Sequence, residues 1–188
     1  MDDLFQAAAD VQRICQSQRW QFCFIGGLAL QRWGEPRETV DVDISLFTGF
    51  GEVDRYNEVL LKHFAPRISD AAAFAKESRV LLIRSSNGVG INVSLAALPY
   101  EALLIQRSSY FDYPHGIPLL TCSAEDLIVL KAFAGRGRDW DDVERIIVRQ
   151  TGKLGWDYIH EQLRPLAELK DAPEIIDQLE ARRVEFEQ

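Results

Sequence analysis

Asp41 and Asp43 stand two apart in the run Thr-Val-Asp-Val-Asp-Ile-Ser-Leu, and thirteen residues separate them from a glycine pair, Gly26-Gly27. On a strand, residues two apart point the same way. The two acids therefore share one face, and Val40, Val42 and Ile44 share the other. Carboxylates held side by side repel unless a cation sits between them. A pair of Mg²⁺ ions, or Mn²⁺ in their place, resolves that repulsion and can hold a nucleoside triphosphate. A glycine pair between strand and helix lets the backbone approach a phosphate, with the helix N-terminus aimed at it. Each feature has a plainer reading. Gly26-Gly27 alone is a tight turn needing positive φ, and Asp41 and Asp43 alone are the solvated face of an amphipathic strand. The two together, at this spacing, favour the phosphate and metal reading, because strand interiors are depleted in Asp.

Together these residues resemble the signature of the nucleotidyltransferase superfamily, the DNA polymerase β-like fold. A closer likeness is to small bacterial proteins grouped with AbiEii- and MenT-type toxins, which read Arg-x-Thr/Ser-x-Asp-x-Asp; here stand Arg37, Thr39, Asp41 and Asp43. A second likeness covers Ser123 to Val143. The family often carries a helix ending Leu-x-x-Lys, then a charged turn and Asp-x-x-Asp; here stand Leu127-Ile128-Val129-Leu130-Lys131, then Arg136, Arg138, Asp139 and Asp142. The resemblance implies an α+β fold, a nucleotidyltransferase-like mixed sheet flanked by helices and followed by a C-terminal helical bundle. It implies Mg²⁺-dependent (or Mn²⁺-dependent) transfer of a nucleoside monophosphate from an NTP donor to an acceptor hydroxyl. The acceptor classes are RNA such as a tRNA 3′ end, a protein side chain, or a small molecule. A toxin-like role with a cognate antitoxin is a further implication. Asp41 and Asp43 are then the catalytic and metal-binding acids, and Gly26, Gly27, Arg37, Thr39, Lys131 and Arg136 the nucleotide contacts.

The residues also have readings of their own. Lys131 is a point charge suited to β/γ-phosphates, and Arg136 or Arg138 to bidentate phosphate contacts. Equally, all three are cations near a helix C-terminus, where the dipole favours them. Asp139 and Asp142 suit helix capping and pairing with those arginines better than metal binding. Arg37 is either a triphosphate contact or a solvated surface residue.

The sequence departs from the superfamily pattern at one place. A third carboxylate is expected on a neighbouring strand, and in Gly90-Ile91-Asn92-Val93-Ser94-Leu95 its position falls to Asn92. An amide oxygen can ligate Mg²⁺ but brings no charge and takes no proton. Three readings stay open: catalysis with two acids and a substrate-derived base, recruitment of another acid such as Glu101 or Glu77, or a nucleotide-binding or regulatory module without turnover.

The 188 residues suit one domain, or one with a helical appendage, and 47% apolar with 27% charged residues is ordinary for a globular chain. A net charge of −8 argues against a general nucleic-acid binder. No apolar run is long enough for a membrane span, and Met-Asp-Asp-Leu-Phe-Gln lacks a signal-peptide pattern, so a cytoplasmic protein is expected. Cys15, Cys23 and Cys122 are an odd set without Cys-x-x-Cys spacing and read as buried thiols. His63, His115 and His160 are scattered and form no metal motif. The four tryptophans, Trp20, Trp33, Trp140 and Trp156, suit packing better than base stacking.

The elements that must position these residues follow from periodicity. Leu4, Ala8, Val11 and Cys15 place a helix over 3–17. Strands are expected at 21–25 and 40–47, with a short helix over 28–33 between them and another over 53–63. Asn87-Gly88 predicts a hairpin joining 79–85 to 89–95. A helix over 101–106 follows, and 110–121, with two prolines, reads as loop with at most an edge strand. Ser123 opens a helix that Gly135 ends, and helices over 139–150, 156–169 and 173–186 form the tail. The expected division is an α/β core over 1–121 and a helical region over 122–188.

Overall fold

The computed structural model describes residues 2–187. The chain divides into two compact units, Met1–Leu28 with Glu38–Cys122, and Ala29–Arg37 with Ser123–Gln188. The short segment Ala29–Arg37 thus groups with the C-terminal helices.

The first unit is built on a seven-stranded mixed sheet. Its strands are β1 (Phe22–Phe24), β2 (Asp41–Phe47), β3 (Ala65–Pro66), β4 (Val80–Arg84), β5 (Gly90–Ala96), β6 (Ser109–Tyr113) and β7 (Ile117–Thr121), in spatial order β3-β4-β5-β2-β1-β7-β6. β2 runs parallel to β5 and antiparallel to β1, so it is central and flanked on both sides. One face of β2 and its neighbours is apolar. Val42, Ile44 and Leu46, with Leu81, Ile83, Ile91, Val93 and Leu95, are buried in one core. Helix α1 (Asp2–Ser17) adds Leu4, Phe5, Ala8, Val11 and Cys15 to it. Full burial of each such aliphatic side chain contributes about 1.5–3 kcal/mol. α3 (Val53–His63), α4 (Ala71–Ser78) and α5 (Pro99–Gln106) complete this unit. α2 (Gly26–Trp33) starts in it and carries the chain into the second.

The second unit holds α6 (Ala124–Ala134), α7 (Gly137–Arg149), α8 (Trp156–Leu169) and α9 (Glu174–Phe186). Ser123 caps α6, its hydroxyl accepting from the Asp126 N–H at 3.1 Å, and Gly135 ends it in the left-handed region at φ 68°. Trp140, Val143, Ile146 and Ile147 form the buried stripe of α7. Gly34 lets α7 approach, since a Cβ there would lie 3.2 Å from Ile146 and 2.6 Å from Leu30.

The α+β class and the mixed sheet agree with expectation. Three details differ. β2 begins at Asp41, so Val40 lies outside it and is exposed instead of facing the core. Residues 64–78, unassigned from sequence, supply β3 and α4. The expected loop over 110–121 is an antiparallel hairpin of β6 and β7 around Pro114-His115-Gly116. Its prolines misled because neither costs a ladder bond: Pro114 is in the turn, and β1 pairs with β7 only at Phe24–Thr121, short of Pro118. There the buried Gln12 side chain donates to the Pro118 carbonyl at 2.7 Å and accepts from the Leu120 N–H at 3.0 Å. Among the described residues, no helix is long and apolar enough to cross a membrane.

Candidate active site

The polar face of the β2–β5 pair carries the candidate site. In register stand Asp41 opposite Gly90, Asp43 opposite Asn92, and Ser45 opposite Ser94. Asp41 and Asp43 are partly exposed while Val42 and Ile44 between them are buried, so both acids share the face opposite the core. β1 ends beside them, with the Ile25 N–H donating to the Asp43 carbonyl at 3.0 Å, and the chain turns at once into α2.

The glycines here have a physical reason beyond turn geometry. Gly26 has φ 58°, and a Cβ on it would collide with the Asp43 carboxylate. A Cβ on Gly27 would collide with the Thr39 hydroxyl, and one on Gly90 with the Asp41 carboxylate. Three glycines therefore open the space that Asp43, Thr39 and Asp41 occupy. Thr39 itself donates weakly to the Asp41 carbonyl at 3.4 Å. α2 starts here too, and the first N–H groups of a helix lack intrahelical acceptors.

Asn92 stands opposite Asp43 on β5, and its amide is engaged on both sides. Its Nδ2 donates to Asp43 Oδ1 at 2.9 Å, and its Oδ1 accepts from Arg67 Nη1 at 2.8 Å. The amide oxygen thus faces a guanidinium. Arg67 Nη1 also lies 3.8 Å from Asp41 Oδ2, with side-chain exposures of 29% and 35%. That separation is longer than a hydrogen bond, and so exposed a pair is worth about 1 kcal/mol or less. Asp41 is therefore not locked. Arg67 had no signal in the sequence, since it follows a two-residue strand that periodicity does not reveal.

Among the described residues, no third acid joins the pair in a cluster able to hold a metal ion. Glu101 accepts from the N–H groups of Ala97 and Leu98, both at 2.8 Å, and so caps α5. Glu77 is exposed on α4. Among the described residues, no group of three or more His, Cys, Asp or Glu is arranged to hold a metal ion. A dicarboxylate still suits Mg²⁺ or Mn²⁺, because such ions commonly take one or two carboxylates and complete their shell with substrate phosphates and water.

Arg37, Lys131 and Arg136 belong to the second unit and meet each other through two buried acids. Arg37 is bidentate to Asp142, at 2.9 and 3.0 Å. Lys131 Nζ lies 2.7 Å from Asp142 and 3.0 Å from Asp139, and Arg136 Nε donates to Asp139 at 2.6 Å. Lys131 is buried, not presented as a free point charge, and Asp142 takes Arg37 as partner rather than a neighbouring arginine of its own turn. Burial alone would raise the pKa of Asp139, but hydrogen bonds and charge from Arg136 and Lys131 outweigh it and hold the value below the ordinary carboxylate range. Asp142 is lowered in the same way, burial being overcome by Arg37 and Lys131.

No family model matches the chain, and no curated protein sequence matches it. Among solved structures, it is similar to an antigenic nucleotidyltransferase-like protein from Paracoccidioides brasiliensis, at 18% identity and a TM-score of 0.53 over 96% of this chain and 94% of that one. The antibiotic-resistance factor ANT(2'')-Ia also aligns, in a crystal structure with adenylyl-2''-tobramycin, at 15% identity and a TM-score of 0.46 over 97% and 98% of the two chains. The fold is nucleotidyltransferase-like.

Proposed function

We propose that this protein is a nucleotidyltransferase that moves a nucleoside monophosphate from an NTP to an acceptor hydroxyl, whose oxygen bonds to the α-phosphorus as the α–β phosphoanhydride breaks and pyrophosphate leaves. The observation that carries the reading is the Asp41–Asp43 pair on one face of β2, with Gly26, Gly27 and Gly90 each lacking the Cβ that would fill its surroundings. Asp41 and Asp43 would hold Mg²⁺ or Mn²⁺, which supplies positive charge against the phosphate oxygens when bound. The chain's own residues do the rest. Gly26 and Gly27 let the Asp43 carboxylate and the Thr39 hydroxyl lie against the start of α2, whose first N–H groups suit a phosphate. Thr39 is positioned by Gly27 to offer a hydroxyl at the same place. Asn92 fixes the orientation of Asp43 through its Nδ2 hydrogen bond. Since no third acid adjoins the pair among the described residues, the proton of the attacking hydroxyl leaves through the substrate or water. The ion network around Lys131 supports a structural role for Lys131 and Arg136.

The test is incubation with Mg²⁺ and each α-labelled NTP against total RNA, a protein extract and a panel of small polyols. Labelled product is expected from the native chain, and loss of at least about 10²–10³-fold in rate from Asp41→Asn or Asp43→Asn. Unchanged labelling by the doubly substituted chain contradicts the assignment. The RNA arm reads out an RNA 3′ end as acceptor, and a toxin-like role with a neutralising antitoxin adds growth arrest on expression that depends on Asp41.

A second reading is favoured by Asn92, which is uncharged and held between Asp43 and Arg67. The chain would then bind nucleotide without turning it over. It predicts calorimetric NTP binding with no labelled product, and none gained in Asn92→Asp.

A further inference from the structure

Arg67 reaches the polar face of the sheet from outside the strands that carry Asp41 and Asp43. Its backbone N–H donates to the Leu82 carbonyl at 3.0 Å, which fixes its main chain against β4. Its guanidinium lies across Gly90, where a Cβ would stand 2.8 Å from Nη1 and 3.1 Å from Cζ. Gly90 therefore makes room for Arg67 and Asp41 together. Nη1 is held by Asn92 Oδ1 and faces Asp41. Nε and Nη2 have no protein acceptor among the described residues. A guanidinium anchored at one nitrogen, with the rest of its fork open beside two carboxylates, is suited to a phosphate.

Charge points the same way. Two acids and one arginine leave the site a net charge of −1, far less than the +4 that two dications would bring. A second dication near Asn92 would meet a fixed positive charge and an amide oxygen already accepting from it. Resting on the nucleotidyltransferase reading above, we propose that Arg67 is the site's second cation: it binds the donor's phosphate chain and limits the site to a single divalent ion. Without ligand it leans on Asp41, and with ligand its open donors take phosphate oxygens.

The test uses the intact chain with two probes, Mn²⁺ alone and inorganic tripolyphosphate at saturating Mn²⁺. Ions are counted by electron paramagnetic resonance and affinities read by calorimetry. The native chain is expected to bind one Mn²⁺ and tripolyphosphate. Arg67→Gln should bind Mn²⁺ alone equally or more tightly, since a competing charge beside Asp41 is gone, and tripolyphosphate about tenfold or more weakly. Arg67→Lys, which keeps the charge but not the fork, should fall between. A merely structural arginine would weaken both probes together, so a parallel loss overturns the proposal, as does a second Mn²⁺ in the native chain. If the native chain binds Mn²⁺ and tripolyphosphate but Arg67→Gln changes neither, only this inference fails. If the native chain binds neither probe, the parent reading fails with it.

Discussion

At the residue scale, Gly26 and Gly90 are the sharpest probes of the site, because their missing side chains define it. Gly26→Ala meets two penalties, a positive φ and a collision with Asp43. Gly49→Ala meets only the first, having φ 62° and nothing within 4 Å of the added Cβ. Gly49→Ala should cost about 1 kcal/mol in denaturant unfolding and leave Mn²⁺ affinity unchanged. Gly26→Ala should cost about 2 kcal/mol or more and displace Asp43, with Mn²⁺ affinity falling at least about tenfold. Equal Mn²⁺ affinity in the two variants would show that Asp43 does not depend on the glycine. Much of this scale is legible in the sequence. Gly26, Gly27, Asp41 and Asp43 stand out by residue type and spacing, and Asn92 only through the resemblance that expects an acid at its position. Arg67 is not, because its partner Asn92 lies 25 residues away and no local pattern joins them.

At the element scale, α6 and α7 are joined by buried charge as well as by apolar stripes. Lys131 on α6 serves Asp139 and Asp142 on α7, and Arg37 completes the set from a segment 105 residues before Asp142. Lys131→Ala leaves two buried carboxylates short of a cation, and should cost about 3 kcal/mol or more in urea unfolding. A change within about 0.5 kcal/mol of native would show the network to be dispensable. The pH dependence has a fixed sign. Both aspartates have depressed pKa values, so their contribution is fully present above the unfolded value of 3.8 and is lost as pH falls through the folded values. Thermal unfolding followed from pH 6 down to 3 should show a steeper acid decline for native than for Asp142→Asn. Parallel curves would deny Asp142 this role. The Lys-to-Asp-x-x-Asp pattern is visible in the sequence, but its meaning is not. Spacing cannot show that Lys131 is buried against the very acids that follow it.

At the scale of the whole molecule, local signals place the helices and the Asn87-Gly88 hairpin, whereas strand order depends on partners far apart in the chain. Nothing local states that β7 joins β1, or that β2 lies between β1 and β5. The grouping of Ala29–Arg37 with the C-terminal helices is equally non-local, resting on bonds such as Gln150 Nε2 to the Trp33 carbonyl at 2.9 Å. A net charge of −8 has its own consequence. Random-sequence duplex should show no retention in fluorescence anisotropy at about 0.15 M salt, where the Debye length is about 8 Å; micromolar binding there would reveal a basic face. The most direct measurement of the central claim is a crystal of the native chain soaked with Mn²⁺ and a non-hydrolysable NTP. An anomalous Mn²⁺ peak bonded to both Asp41 and Asp43 is expected, with triphosphate density against Gly26-Gly27. Ordered nucleotide elsewhere, or Mn²⁺ that touches neither acid, would contradict it.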